Sequence, residues 1–143
     1  MPKRKKRKPC DICGGSHVKL TRRQCVKRTL WTALRDAMDR RDGGVCVKCG
    51  TMNDIQMSHV YRRSQCGRLA YDLQNVKSLC GKCHLGWWHR NEAEGGVWFA
   101  EKYPDRWEYL QRKKKEYQHL GTIPIDWYVE RMAELEGYQN EAW

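Results

Sequence analysis

Three Cys-x-x-Cys pairs set the terms on which this chain can fold: Cys10 with Cys13, Cys46 with Cys49, and Cys80 with Cys83. At that spacing a tight turn folds the second thiol back toward the first, so both can reach one ion. Cys46, Cys49, Cys80 and Cys83 together make a closed S4 shell, the donor set of structural zinc. Cys10 and Cys13 need two further ligands from among His17, Cys25 and Cys66, and Cys10, Cys13, His17 and Cys25 form the favoured Cys3His set. Cys66 is then left over and reads as a small buried hydrophobe.

The rest of the composition makes such staples necessary. Leu, Ile, Val and Phe supply only 23 of the 143 residues, and the formal net charge is +11. That balance alone describes a disordered chain. Seven Trp and seven Tyr add apolar surface, yet a core so thin needs metal or disulfides. The choice falls on metal. Residues 1–9 are basic without a following apolar stretch, so they do not read as a secretory signal, and no apolar run suits a membrane span. A cytoplasmic chain keeps its thiols reduced.

The charge is concentrated at one end. Lys3, Arg4, Lys5, Lys6, Arg7 and Lys8 form a basic arm, expected to be disordered, and the remaining chain still carries 22 Lys and Arg against 17 Asp and Glu. A pI near 9.4 favours a nucleic-acid partner, with the arm adding phosphate contacts and counterion release. No membrane partner is expected.

Periodicity places the helices. Leu30, Trp31, Leu34, Ala37 and Met38 predict a helix from Thr29 to about Arg41, stopped by Asp42-Gly43-Gly44. A brief helix is expected over Val97 to Tyr103. Pro104 opens another, with Tyr103, Trp107, Leu110, Lys114 and Tyr117 on one stripe. Asp126 is expected to cap a last helix bearing Val129, Met132, Ala133 and Leu135 and ending near Gly137. The aromatic stripes read as core. The domain reading is an arm over 1–9, a small knuckle over 10–28, a helix plus central core over 29–92, and a helical extension over 93–143.

Between the zinc pairs lie Ser58-His59, Asn75 and, directly after a knuckle cysteine, His84. The order His59, Asn75, His84, with nine residues from Asn75 to His84, resembles the HNH nucleases of the ββα-metal class. The run Met38-Asp39-Arg40-Arg41-Asp42, the Ser58-His59 hairpin, Asn75-Val76 before Cys80, and Trp87-Trp88-His89-Arg90-Asn91 are similar to the phage NinG (Rap) family of recombination endonucleases, over roughly residues 29–137. The resemblance implies an α+β fold, with a small zinc-stabilised, treble-clef-like ββα-metal core flanked by N- and C-terminal helices. It also implies a metal-dependent DNA endonuclease acting on branched recombination intermediates, Holliday junctions or D-loops, in the cytoplasm of a bacterial host.

In that reading His59 takes a proton from water and Asn75 pins the loop that orients it. His84 holds a divalent ion, Mg2+ or Mn2+, against the same phosphate, while Arg62 and Arg63 clamp phosphates. Ser58 stands where many such enzymes carry a ligating Asp, so further ion ligands are sought in His89, Asp72 and Asp54. Dimerisation through the C-terminal aromatic helices is a further expectation. The rival functions are a nicking, homing or packaging-associated HNH nuclease and a non-catalytic zinc-finger module.

Overall fold

The computed structural model describes residues 8–17 and 19–139. The chain is α+β, and its only sheet among the described residues is a two-stranded antiparallel hairpin. The basic arm from Lys3 to Arg7 lies outside the described residues; Lys8 is exposed.

Helix α1 (Arg22–Asp42) begins a full two turns before the expected Thr29. Thr21 accounts for the difference. Its hydroxyl accepts from the Gln24 N–H, and the Gln24 side chain accepts in return from the Thr21 N–H, a reciprocal cap. The helix therefore crosses the boundary drawn at residue 28 and carries Cys25 in its first turn. It ends at Gly43, whose φ of 72° and N–H bond to the Asp39 carbonyl make the left-handed stop. Val26, Leu30, Leu34, Ala37 and Met38 are buried, but Trp31 is not: it keeps 37% of its surface exposed, because one residue past Leu30 lies 100° around the helix.

Strands β1 (Ile55–His59) and β2 (Val76–Cys80) pair with Ser58 opposite Lys77 and His59 opposite Val76. Alternation across the pleat then separates two faces. Met57, His59 and Val76 look toward α1, while Gln56, Ser58, Lys77 and Leu79 look the other way. A helical segment, Lys82–Trp88, follows β2 at once and is π-wound. Helices α2 (Glu92–Lys102), α3 (Pro104–Tyr117) and α4 (Ile125–Gln139) complete the chain. Helix α2 starts five residues before the expected Val97. Asp126 lies inside the first turn of α4 and is not its cap.

Two apolar clusters flank the hairpin. One joins α1 and α4 through Leu30, Leu34, Met38, Tyr71, Val76 and Tyr128. The other joins the hairpin's opposite face to the π-helix, α2 and α3 through Leu79, Trp88, Phe99 and Leu110. Cys66, half-buried, packs at its edge. Trp98, Tyr103, Trp107 and Tyr117 also pack against this second cluster. The aromatic stripes of α2 and α3 thus pack within the chain, against this second cluster. No described helix is long and apolar enough to cross a membrane.

Candidate metal and nucleic-acid site

Both expected cysteine sets assemble. The ligand atoms of Cys10, Cys13, His17 and Cys25 lie within 4.8 Å of one another, as do those of Cys46, Cys49, Cys80 and Cys83. Thiolates 2.3 Å from a tetrahedral ion stand about 3.8 Å apart. The Cys49–Cys80 and Cys10–Cys25 sulfurs are 3.7 and 3.6 Å apart, far beyond a disulfide bond. The donor sets therefore fit tetrahedral metal, and His17 turns Nε2 toward Cys13 and Cys25 at 3.0 and 3.1 Å.

Local chain geometry explains the first pair in each set. The Gly14 N–H donates to the Cys10 carbonyl and the Gly50 N–H to the Cys46 carbonyl, both at 2.8 Å. Each glycine sits at positive φ, 70° and 78°, where a side chain would strain the turn. Cys80 and Cys83 differ: they come from the end of β2 and the start of the π-helix, with Gly81 in right-handed helical geometry and no knuckle loop. A Cβ on Gly81 would stand 2.2 Å from Asp54 Oδ2.

Protonation within each set is uneven. N–H groups of Cys13 and Ile12 bring the Cys10 thiol down to about 6, while burial pushes Cys25 up to about 11. Burial raises Cys46, but the N–H groups of Cys80, Cys49 and Lys48 outweigh it and bring the thiol to about 6. Burial takes Cys83 up to about 12. A bound cation would relieve that crowding of thiols.

Asn75, fully buried, fastens the loop that follows β1. Its Oδ1 accepts from the Tyr61 N–H at 2.8 Å, and its Nδ2 donates to the Tyr61 and Leu69 carbonyls at 3.0 and 2.9 Å. Two arginines given no role in the sequence reading hold the same turn from outside. Arg41 donates to the Leu73 and Val76 carbonyls, and Arg106 to the Gln74 and Val76 carbonyls. Both are separated from the turn by about 30 residues or more, so no local pattern reveals them.

The loop ends where His59 sits. Its Nε2 lies 2.9 Å from the Ala70 carbonyl and its ring stacks on Trp31, with centroids 5.3 Å apart. Burial lowers its pKa below 6.5, helped by the charges of Lys77 and Arg63 and opposed by the Ala70 carbonyl.

His84 and His59 attach to opposite faces of the pleat, His84 through its bond to Gln56 and His59 directly. They remain within electrostatic reach, since His59 is among the charges that lower His84. Arg62 and Arg63, consecutive at the hairpin's end, divide in the same way: Arg62 acts on His89 and Arg63 on His59. Arg62 is also paired with Glu92.

The π-helix brings His89 to His84. An α-helix places residues four apart on one face, but the widened turn, closed by the His89 N–H to the His84 carbonyl at 3.0 Å, does so for residues five apart. The two Nε2 atoms are 3.0 Å apart. Gln56 decides the tautomer. Its Nε2 donates to Asp54 Oδ1 at 3.1 Å, so its Oε1 faces His84 and accepts from Nδ1–H at 2.8 Å. That leaves the His84 Nε2 lone pair directed at His89 Nε2, with the Nδ1–H anchoring usual for a ligating histidine. Burial, followed by the charges of His89, Lys77 and His59, brings His84 to about 4.

The other ligand candidates are otherwise engaged. Asp72 is buried and accepts from the Gln74 N–H at 2.8 Å and the Tyr109 hydroxyl at 2.7 Å, so it is a cap and not an ion ligand. Asp54 reaches His84 only through Gln56. Ser58, buried, accepts from Lys77 Nζ at 3.1 Å. Lys77, itself without exposed surface, lies 3.3 Å from the centre of the Trp88 ring. No protein-family model, curated protein or solved structure matches the chain.

Proposed function

We propose that this protein is a metal-dependent DNA endonuclease of the HNH kind, its ββα-metal core formed by the hairpin and the π-helix. Branched recombination intermediates are its substrate and both cysteine sets hold zinc. The observation that carries this reading is the convergence of the His84 and His89 Nε2 atoms beside a hairpin whose loop, just past His59, is pinned by Asn75. The residue pattern that resembles NinG-like enzymes is what points to a branched substrate.

A divalent ion held by His84 and His89 would supply positive charge to the scissile phosphate and the leaving 3′ oxygen. Two imidazoles suit Mn2+ better than Mg2+, which prefers oxygen ligands. His59, kept neutral by burial, accepts the proton of the attacking water. Its present bond to the Ala70 carbonyl holds the ring by one nitrogen and leaves Nδ1 as the acceptor. Asn75 limits the freedom of the loop, and Arg62 and Arg63 bind phosphate oxygens on either side of the hairpin's end.

One observation favours a second reading, a zinc-held nucleic-acid-binding module without catalysis. The position beside His59 that would carry a ligating carboxylate carries Ser58, whose hydroxyl is taken up by Lys77 Nζ. Cleavage of four-way, nicked, single-stranded and linear DNA with Mn2+ or Mg2+ separates the readings. The nuclease cuts junctions in preference to linear duplex, and His59→Ala retains binding while losing cleavage by about 10²–10⁴-fold. Cleavage unchanged in His59→Ala refutes the role of that residue. Binding with no cleavage of any substrate establishes the second reading.

A further inference from the structure

A cleft of about 490 Å3 runs along α1 beside His59, lined by Gln24, Lys27, Arg28, Trp31, Arg63 and Tyr71 among others, with no carboxylate in its wall. Gln24, Lys27, Arg28 and Trp31 stand at positions i, i+3, i+4 and i+7 of α1, so one helix face presents them all. Among the described residues Lys27, Arg28 and Arg63 make no ion pair. Their charges act on one another: burial, then Arg63 and Arg23, lowers the pKa of Lys27. A cleft that gathers cations without counterions is relieved by an anion. Trp31 adds a second element. Its indole stacks on the His59 ring, meets the Tyr71 ring edge-on with centroids 5.9 Å apart, and still leaves more than a third of its surface uncovered.

We infer that this cleft takes an unpaired stretch of DNA, with Lys27, Arg28 and Arg63 on successive phosphates and Trp31 stacking one unstacked base beside His59. Paired bases hide their faces in the duplex, so the indole can be used only by a strand that is single or splayed, as at a branch point. Base–aromatic stacking of this kind is tolerant of sequence. The inference rests on the nuclease reading only for the purpose of the cleft, and it supplies what the residue pattern alone did not, a physical preference for unpaired DNA.

Binding is read apart from cleavage, in the full chain carrying His59→Ala, with zinc present and no other divalent ion. The probes are a fluorescent single-stranded 12-mer and a blunt duplex, followed by anisotropy across a salt series. The Trp31→Ala change is expected to weaken the single strand about tenfold and leave the duplex unchanged, and Trp31→Phe to recover most of the loss. Lys27→Ala with Arg28→Ala removes two phosphate contacts. The single-strand salt slope should fall by about 1.4, equivalent to roughly 25-fold weaker binding at 0.1 M salt. Unfolding curves confirm that each variant is folded, and a Trp31→Ala that fails to fold leaves Trp31→Phe and the double variant to decide. Equal losses on duplex and single strand overturn the base-stacking role. Affinities unchanged in every variant, or an acidic peptide competing as well as the oligonucleotide, overturn the cleft as a DNA site. Junction cleavage by the parent chain would stand in either case, and its absence would not alter the binding result.

Discussion

Removing the Asn75 side chain should disclose how much of the site depends on one amide. Asn75→Ala deletes three hydrogen bonds and strands the Tyr61 N–H and the Tyr61 and Leu69 carbonyls at a position with no exposed surface. At about 1 kcal/mol net for each bond the loss is about 3 kcal/mol, which lowers Tm by about 10 °C in a chain of this size. Asn75→Asp separates the donors from the acceptor. It keeps the oxygen that accepts from Tyr61, but sets a second carboxylate oxygen against two carbonyl oxygens at 3.0 and 2.9 Å and buries a charge, so it should be less stable than Asn75→Ala. Thermal and urea unfolding with zinc saturating give both values, and hydrogen exchange at the Tyr61 amide reports the loop itself. An Asn75→Ala variant within about 0.5 kcal/mol of the parent, or an Asn75→Asp variant more stable than Asn75→Ala, would refute the account of the loop as pinned by this side chain.

Other consequences follow from the same geometry. Elemental analysis should find two zinc equivalents per chain, one in Cys13→Ala or Cys49→Ala, and still two in Cys66→Ala; a chelator should lower Tm in proportion to the metal removed. Gly95→Ala would place a Cβ 2.7 Å from the Trp88 ring, and should cost about 1–3 kcal/mol by calorimetry because the ring is packed too tightly to withdraw. Burial holds the His59 pKa below 6.5 in the folded chain. The unfolded chain therefore binds a proton first as pH falls, so the His59 contribution is complete above 6.5 and lost on acidification toward the folded value. Cleavage should show its acid limb below pH 6.5, and a profile falling already from pH 8 would contradict a buried neutral base.

The candidate metal ligands Cys10, Cys13, Cys46 and Cys49 and the register of α3 were legible because their signals are local. A Cys-x-x-Cys-Gly turn closes on its own backbone, and a stripe such as Trp107, Leu110 and Tyr117 needs only the helical repeat. The start of α1 was misplaced for an equally local reason: the cap at Thr21 and Gln24 lies outside the apolar pattern, which begins strongly only at Leu30. Trp31 was read as core because hydrophobicity says what a residue can bury and not which direction it faces.

By itself, then, the amino-acid order marked the Cys-x-x-Cys pairs and the stop of α1 at Gly43, through contacts a few residues long. Tertiary structure alone decided the rest. A π-turn carries no sequence signature, yet it moves His89 onto the face of His84. Gln56 fixes the His84 tautomer from 28 positions away, and the Arg41 and Arg106 side chains reach the Asn75 turn from distant helices. Which face His59 and the His84 partner Gln56 each take depended on strand register, which slips by a whole side when shifted by one residue. Such choices are made by packing between segments, where the chain's local preferences are silent.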